Sequence, residues 1–306
     1  MVSRAARWLV HALLLSLAPI LAGVVLCELT IRVPARFRLR PSSPAAREMA
    51  SAMDAAWEAI AVQAGDGIRL DAWYFQPRAW NGRAVLLLHG IGNRREGMRA
   101  HIALFLRGGY AVLVPDSRGH GSSGGGVIGF GIHETDDLRR WLGWLRAAKA
   151  IQSVYALGQS MGAAILLQSL PVEPRIRAAV AEASFCTFPD IAYDRLAGRA
   201  FLGASAARFF LWPVVEPGLL WGRLRYGLNL RNVAPVEAIR RNSTPVLLIH
   251  GSEDRNILPW HSRALYEANP SSTVLWEVPG AGHVTVLFEH PAEYERRVVS
   301  WFQSHQ

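Results

Sequence analysis

Ala156-Leu157-Gly158-Gln159-Ser160-Met161-Gly162-Ala163-Ala164-Ile165 joins a short apolar run to a helix-forming run through a serine that is bracketed by glycines. This Gly-x-Ser-x-Gly arrangement is typical of a nucleophile elbow, a tight strand-to-helix turn that exposes a serine hydroxyl. Glycines are needed two residues either side of Ser160, because larger side chains would clash across the turn. The pattern predicts a buried strand over Ser153–Leu157 and a helix over Ser160–Leu170.

Short apolar strands alternate with amphipathic helices from Ala84 onwards, which indicates a mostly parallel sheet covered by helices on both faces. The turn Ala64-Gly65-Asp66-Gly67, between Ile60–Gln63 and Ile68–Phe75, predicts an antiparallel hairpin at the edge of that sheet. The other predicted strands are Ala84–Leu88, Ala111–Pro115, Ala178–Ala183, Val246–His250 and Thr273–Val278. The other predicted helices are Ala45–Ala59, Asn93–Arg107, His133–Ala148, Trp260–Asn269 and Pro291–Gln303.

A long aromatic and arginine-rich stretch interrupts this alternation at about residues 186–242. We predict that it forms a helical cap inserted above the sheet. The plainer alternative is that its aromatic side chains only pack the cap onto the body of the domain. The aromatic residues concerned are Phe201, Phe209, Phe210, Trp212, Trp221 and Tyr226.

A serine hydroxyl is a poor nucleophile at neutral pH, so the turn requires a histidine base and a carboxylate that orients the base. Gly251-Ser252-Glu253-Asp254 follows one predicted strand, and Gly280-Ala281-Gly282-His283 follows the last one. The order Ser, Asp, His, each beyond the end of a different strand, is the order associated with this kind of turn. We therefore predict a catalytic triad of Ser160, Asp254 and His283, with the neighbouring Glu253 as a rival acid.

An oxyanion hole is the remaining requirement of acyl transfer. Leu88-His89-Gly90-Ile91-Gly92 ends the strand that normally supplies one of the donors. We predict that the backbone amides of Ile91 and Met161 are the two donors, and that His89 has a structural role.

An uncharged, mostly apolar run extends from Trp8 to Cys27, and as a helix it would be about 30 Å long, enough to cross the hydrocarbon core of a bilayer. This length predicts a single-pass membrane anchor over residues 1–30, then a basic, proline-containing linker over residues 31–56 and a catalytic domain over residues 57–306. A cleaved signal peptide is the alternative. The positive-inside count weakly favours a cytoplasmic domain, whereas an ordinary signal anchor gives the opposite orientation, so the membrane face stays open.

The formal net charge of +9 does not by itself indicate nucleic-acid binding. Its arginines are scattered and no recognition motif accompanies them, so attraction to an anionic membrane surface is the better interpretation. The glycines of Gly119-x-Gly121-x-x-Gly124 fit a dinucleotide fingerprint, but no helix follows them directly, and we expect no cofactor. Cys27 and Cys186 indicate neither a disulfide framework nor a metal site.

These motifs together resemble the α/β-hydrolase superfamily, and in detail its serine aminopeptidase-like branch, which includes membrane-anchored esterase- and thioesterase-like members. The resemblance covers roughly Trp57 to Gln303 and also rests on Asp116-Ser117-Arg118-Gly119-His120-Gly121-Ser122-Ser123. It implies an α/β-hydrolase fold, and it places the glycine-rich loop near the active site. It says little about the substrate, because this fold hosts many chemistries.

Three functions remain open at this point. The first is a serine hydrolase that cleaves a carboxylic ester or thioester of a small-molecule or lipid-like acyl substrate through an acyl-enzyme. The second is an aminopeptidase-like enzyme, which needs acidic groups for the substrate's amine, and the predicted cap offers Asp190, Asp194 and Glu216. The third is a non-catalytic binding protein, which usually lacks a triad member. The oligomeric state is not indicated by the sequence.

Overall fold

The computed structural model describes residues 4–38, 42–200 and 203–306, and within these ranges eight strands form one sheet. The strands are β1 (Ala55–Gln63), β2 (Arg69–Pro77), β3 (Arg83–Leu88), β4 (Ala111–Pro115), β5 (Ser153–Gln159), β6 (Ile176–Glu182), β7 (Val246–Gly251) and β8 (Thr273–Val278). Their spatial order is β1-β2-β4-β3-β5-β6-β7-β8. The pairs β1–β2 and β2–β4 are antiparallel and the other neighbours are parallel, so the predicted antiparallel edge and parallel body are both confirmed.

Helices cover both faces of the sheet, as predicted. The helices of the body are α2 (Ser43–Ala52), α3 (Arg99–Arg107), α4 (Glu134–Ala148), α5 (Met161–Ser169), α9 (Trp260–Ala268), α10 (Val286–Glu289) and α11 (Pro291–Ser304). Successive residues of β3 point to opposite faces. Val85 and Leu87 pack with α2, α3, α10 and α11, whereas Leu86 and Leu88 pack with α4, α5 and α9.

The helix predicted over Ala45–Ala59 is only partly correct. Helix α2 ends at Ala52, Asp54 adopts a positive φ of +47°, and the chain continues as β1 from Ala55. Strand β1 pairs with β2 along its whole length, from Ala55 opposite Pro77 to Gln63 opposite Arg69. The hydrogen bonds of this ladder outweigh the helix propensity of the alanines, which amounts only to tenths of a kcal/mol per residue.

Three helices lie between β6 and β7, within the stretch that predicts a cap: α6 (Phe188–Ala200), α7 (Ala204–Tyr226) and α8 (Pro235–Arg240). Helix α7 ends at Gly227, which has a left-handed φ of +69° and donates its N–H to the Arg223 carbonyl. Such a glycine is a common helix terminator, because it adopts this conformation without a Cβ clash. Phe201 of the predicted aromatic set lies outside the described residues.

The structure does not support the predicted membrane span. Residues Arg4–Ile31 form one helix, α1, and among the described residues no helix is both long and apolar enough to cross a membrane. The C-terminal half of α1 instead packs against α7, where Cys27 and Ile31 are buried. The prediction of a single-pass membrane anchor is therefore not supported. The domain limits at residues 30 and 56 stay predictions.

The segment after α1 runs along the glycine-rich loop between β4 and α4. Arg32 forms an isolated antiparallel bridge with Val127, and the Ile128 N–H donates to the Ile31 carbonyl at 2.8 Å. The Gly121 N–H donates to the Phe37 carbonyl, also at 2.8 Å. Residues 31–38, which the sequence predicts as part of a linker, thus contact a loop beside the candidate active site. Arg40 of the predicted linker lies outside the described residues.

Candidate active site

Ser160 lies on the turn between β5 and α5, with φ +53° and ψ −116°. A positive φ is uncommon for a residue with a side chain and indicates a backbone held in a strained conformation. A Cβ atom at Gly158 would lie 2.4 Å from the Gly162 carbonyl oxygen, and one at Gly162 would lie 2.3 Å from the Leu88 carbonyl oxygen. Both glycines are therefore required by close backbone approaches, as predicted for an elbow.

The structure brings the three predicted triad residues together. Asp254 follows β7 and His283 follows β8, so both lie at the carboxyl edge of the sheet, where Ser160 follows β5. His283 Nε2 is 3.1 Å from Ser160 Oγ, and His283 Nδ1 is 2.6 Å from Asp254 Oδ2. When Nδ1 donates to the carboxylate, Nε2 of the neutral ring is free to accept the serine proton.

Asp254, rather than Glu253, is the acid that contacts the histidine. The carboxylate of Asp254 is buried, and its Oδ1 accepts the N–H groups of Asn256 at 2.8 Å and Ile257 at 3.0 Å. Burial acts to raise the pKa of Asp254, but hydrogen bonds from His250 and His283 outweigh it and hold this pKa well below its usual range. The carboxylate therefore stays ionised at neutral pH. Glu253 is exposed.

His89 positions the loop that carries Ile91, one of the two predicted oxyanion donors. Its Nδ1 is 2.8 Å from the Gly90 carbonyl oxygen and its Nε2 accepts the Ser117 N–H at 3.0 Å. These contacts fit the predicted structural role. Ile91 and Met161 both line the pocket that contains Ser160, and Met161 is the first residue of α5, where backbone N–H groups have no partner within the helix.

His120 supports the same loop from the other side, a role that the sequence does not indicate. Its Nε2 accepts the Gly92 N–H at 3.2 Å, and its Nδ1 is 3.2 Å from the Arg118 carbonyl oxygen. The Phe37 ring stacks on His120 at 5.8 Å and also lies against Gly92, whose φ is +75°. The N-terminal segment thus buttresses the loop that presents Ile91.

Burial lowers the pKa of His89, His101 and His120 to about 4 in each case. The imidazoles of the unfolded chain titrate near 6.5. As the pH falls below about 6.5, the unfolded state binds protons that the folded state does not accept until about pH 4. Each of these histidines therefore stabilises the fold above pH 6.5 and loses its contribution, on the order of 3 kcal/mol, between pH 6.5 and pH 4.

We expect His120→Gln to have a free energy of unfolding that depends less on pH than that of the wild type between pH 7 and about pH 4.5. Glutamine does not titrate, and the other titrating groups are common to the two proteins, so the difference in slope isolates His120. Denaturant unfolding at a series of pH values measures it. Identical slopes would show that His120 is not held neutral by the fold.

A buried carboxyl group lies directly behind the nucleophile, and the sequence analysis missed it. Glu182 ends β6, is fully buried, and accepts the Ser160 N–H through its backbone carbonyl at 2.8 Å. Its Oε2 accepts from Gln159 Nε2 at 2.8 Å and from the Tyr294 hydroxyl at 3.2 Å. Burial raises the pKa of Glu182. The detectable signal was a single acidic residue at the end of the otherwise apolar strand Ala178–Ala183.

Ser160 opens into a pocket of about 430 Å³, within the range typical of small-molecule sites. Its lining is mainly aliphatic and comes from α1, α6 and α7, with Phe188 at the start of α6, as well as from the loop after β6, which contributes Phe185. Among the lining residues that the structure describes, Arg195 is the one charged side chain. This pocket can hold an apolar group next to the serine hydroxyl.

The aromatic residues that the sequence analysis assigns to the cap are not part of the described pocket lining. Phe209, Phe210 and Trp212 are exposed, and Trp221 instead donates its Nε1–H to Glu28 of α1 at 2.7 Å. The cap aromatics thus divide between solvent and helix packing. The pocket walls are built largely from smaller side chains.

The glycine-rich loop, whose glycine spacing fits a dinucleotide fingerprint, is closed by a hydrogen bond between two of its own glycines. The Gly119 N–H donates to the Gly124 carbonyl at 2.6 Å, and α4 begins only at Glu134. Arg118 from this loop forms hydrogen bonds with Asp137 at 2.6 and 2.8 Å, which fixes the loop on α4. No group of three or more histidine, cysteine or acidic side chains within the described ranges could hold a metal ion.

The fold and the elbow geometry define an α/β hydrolase, and comparison with known proteins gives the same result. A model of the Alpha/beta hydrolase family matches residues 85–297, so the chain belongs to this family. The uncharacterized protein Rv2307c of Mycobacterium tuberculosis is 30% identical over 228 residues, which are 73% of this chain and 71% of that protein. The uncharacterized protein YqkD of Bacillus subtilis is 26% identical over 217 residues, which are 70% of this chain and 69% of that protein.

Solved esterases share the fold at low sequence identity. The esterase Pf2001 of Pyrococcus furiosus superposes with a TM-score of 0.70 and 22% identity, over 90% of this chain and 98% of that one. The esterase EaEST of Exiguobacterium antarcticum gives a TM-score of 0.60 and 18% identity, over 80% of this chain and 100% of that one. These likenesses cover most of both chains, and they concern the fold.

Proposed function

We propose that the protein is a serine hydrolase that cleaves a carboxylic ester or thioester through an acyl-enzyme. The observation that carries the proposal is the continuous hydrogen-bonded line from Ser160 through His283 to the buried Asp254, with distances of 3.1 and 2.6 Å, beside a largely apolar pocket. A nucleophile, a base and a group that orients the base are the parts needed for acyl transfer.

The proposed reaction has two halves. Ser160 Oγ attacks the acyl carbonyl carbon while His283 Nε2 takes the serine proton, and the ionised Asp254 stabilises the resulting imidazolium. The tetrahedral oxyanion accepts hydrogen bonds from the Ile91 and Met161 amides. Its collapse breaks the bond to the leaving alcohol or thiol, which receives the proton from His283. Water, deprotonated by the same ring, then hydrolyses the acyl-enzyme and regenerates Ser160.

The aminopeptidase alternative needs a carboxylate that is free to bind the substrate's amine. The three cap carboxylates already have partners: Asp190 binds Arg208, Glu216 binds Arg231, and Asp194 accepts the Trp260 Nε1–H at 2.7 Å. These three acids do not contribute to the lining of the pocket that the structure describes. This pairing favours an uncharged acyl group over a free amine.

The cap arginines give no separate reason for the pocket to disfavour a free amine. Arg208, Arg223 and Arg225 are exposed and are not part of the described lining, so they do not face a substrate amine directly. The side chain of Arg199 lies outside the described residues. The preference for an ester thus depends on the engaged carboxylates and the apolar lining, not on repulsion by arginine.

A non-catalytic role is the third possibility. Proteins of this kind usually lack a triad member, whereas here all three side chains are present and within hydrogen-bonding distance. The strained φ of Ser160 also favours catalysis, because such strain persists where it serves a function.

The proposal is tested by comparing substrates on the purified full-length protein. We expect p-nitrophenyl esters and acyl thioesters of intermediate chain length to have a kcat/KM far above that of aminoacyl p-nitroanilides, because the described lining of the pocket offers apolar surface and contains no carboxylate. Labelling by a fluorophosphonate is expected in parallel. Comparable kcat/KM on a free aminoacyl amide, abolished when its amine is blocked, would favour the peptidase, and absence of both turnover and labelling would favour a binding protein.

A further inference from the structure

Helix α1 forms one wall of the pocket that contains Ser160, although it precedes the motifs of the triad by many residues. Gly23, Leu26, Cys27, Leu29 and Thr30 all contribute to the lining. They face residues of α6 and α7, so the pocket lies between the N-terminal helix and the cap. The motifs near the triad would predict a complete site without this helix.

The contact between α1 and α7 is close enough to involve the two backbones. A Cβ atom at Gly23 would lie 2.0 Å from the Val214 carbonyl oxygen, and one at Gly218 would lie 2.7 Å from the Gly23 carbonyl oxygen. Only glycine fits such positions without moving a helix. These close approaches fix the distance between α1 and α7. They therefore also fix the width of the pocket between the two helices.

A polar contact fixes the same helix near its C-terminal end. Glu28 accepts hydrogen bonds from Trp221 Nε1 at 2.7 Å and from the Tyr226 hydroxyl at 2.7 Å, and it forms an ion pair with Arg32 at 2.6 Å. These directional contacts oppose rotation of α1 about its axis. These contacts hold the face of α1 that carries Leu26 and Thr30 towards the pocket.

We propose that α1 determines acyl-chain specificity in the proposed ester or thioester hydrolysis, with Leu26 as the side chain that limits how far an acyl chain extends from Ser160. The inference rests on the proposed function. Leu26 is half-buried and lines the pocket, whereas the neighbouring Val25 is 54% exposed and is not part of the described lining. The substrate class is an apolar acyl group, because the surfaces that face each other across the pocket are largely apolar.

The main experiment compares Leu26→Trp with the matched control Val25→Trp in the full-length protein. Acetyl, octanoyl and palmitoyl p-nitrophenyl esters are the substrates. Each methylene that can no longer be buried lowers kcat/KM by about fourfold. We expect Leu26→Trp to lower the ratio of kcat/KM for the longer esters to kcat/KM for the acetyl ester by more than tenfold, whereas Val25→Trp keeps the wild-type ratio.

A graded variant and a binding measurement keep the test decisive. Leu26→Phe is expected to give an intermediate profile, and it replaces Leu26→Trp if the larger ring prevents folding. Calorimetric titration of the Ser160→Ala protein with octanoate is expected to show weaker binding when Leu26→Trp is added. This arm needs no turnover, so it tests the pocket wall even if the proposed reaction is wrong.

A failure of the proposed role of α1 and a failure of the proposed function give different experimental results. Identical chain-length profiles and identical octanoate affinities for the Leu26 and Val25 variants would overturn the role of α1 and leave the proposed function intact. Absence of Ser160-dependent turnover for all three esters in the wild type would instead overturn the proposed function. In that case, an octanoate affinity unchanged by Leu26→Trp would overturn the proposed role of Leu26 in the pocket wall as well.

Discussion

Ser160→Ala will lower kcat for ester hydrolysis by about a millionfold and abolish fluorophosphonate labelling, while the protein remains folded. The hydroxyl is the one nucleophilic atom of the elbow, and its removal leaves His283 without a proton to take. Alanine retains the Cβ atom, so the backbone conformation at φ +53° is no worse accommodated than in the wild type. Labelling and ester turnover are the measurements, and circular dichroism reports the fold.

Ser169→Ala is the matched control for this change. Ser169 is also buried, but it is the last residue of α5, about two and a half helical turns beyond Ser160, and its hydroxyl donates to the Ile165 carbonyl at 2.8 Å. We expect labelling and kcat close to those of the wild type. Retained labelling of Ser160→Ala, or loss of labelling in Ser169→Ala, would contradict the assignment of the nucleophile.

Asp254→Asn will lower kcat by about four orders of magnitude. The amide nitrogen of asparagine would donate to His283 Nδ1, which then could not be protonated, and the resulting tautomer places a proton on the Nε2 that must accept from Ser160. The loss of the negative charge also removes the stabilisation of the imidazolium. Steady-state kinetics of the purified variant, with chain folding checked separately, measures the effect.

Glu253→Gln provides the adjacent control. Glu253 is exposed, whereas Asp254 Oδ2 is 2.6 Å from His283 Nδ1. We expect Glu253→Gln to change kcat by less than about twofold, as is usual for an exposed residue that makes no contact with the site. A larger loss in Glu253→Gln than in Asp254→Asn would reverse the assignment of the acid.

The part of the site nearest the sheet could be predicted because it depends on local sequence. The turn at Ser160 requires glycines at fixed spacing, and Asp254 and His283 each follow an apolar strand by a few residues. Parallel strands bring their carboxyl ends to one edge, so strand order in the sequence is enough to place these groups together. The same locality explains why the sheet and its antiparallel hairpin were predicted.

The remainder depends on contacts between segments far apart in the sequence. Phe37 stacks on His120 and Glu28 binds Tyr226, and neither partner can be inferred from a spacing. The run from Trp8 to Cys27 predicts a membrane span when it is read alone, whereas the structure packs the C-terminal half of this helix on α7, a segment far away in the sequence. Helix α2 and β1 differ from the prediction for a related reason, because pairing with β2 overrides local propensity.

The packing of α1 on α7 affects the order in which parts of the structure form during synthesis. Glu28 and Tyr226 are 198 residues apart in the chain. At roughly 5–20 residues per second of synthesis, about 10–40 seconds pass between the appearance of one helix and that of its partner. During this interval α7 is not yet available to pack against α1, so the pocket between these helices forms only after α7 has been synthesised.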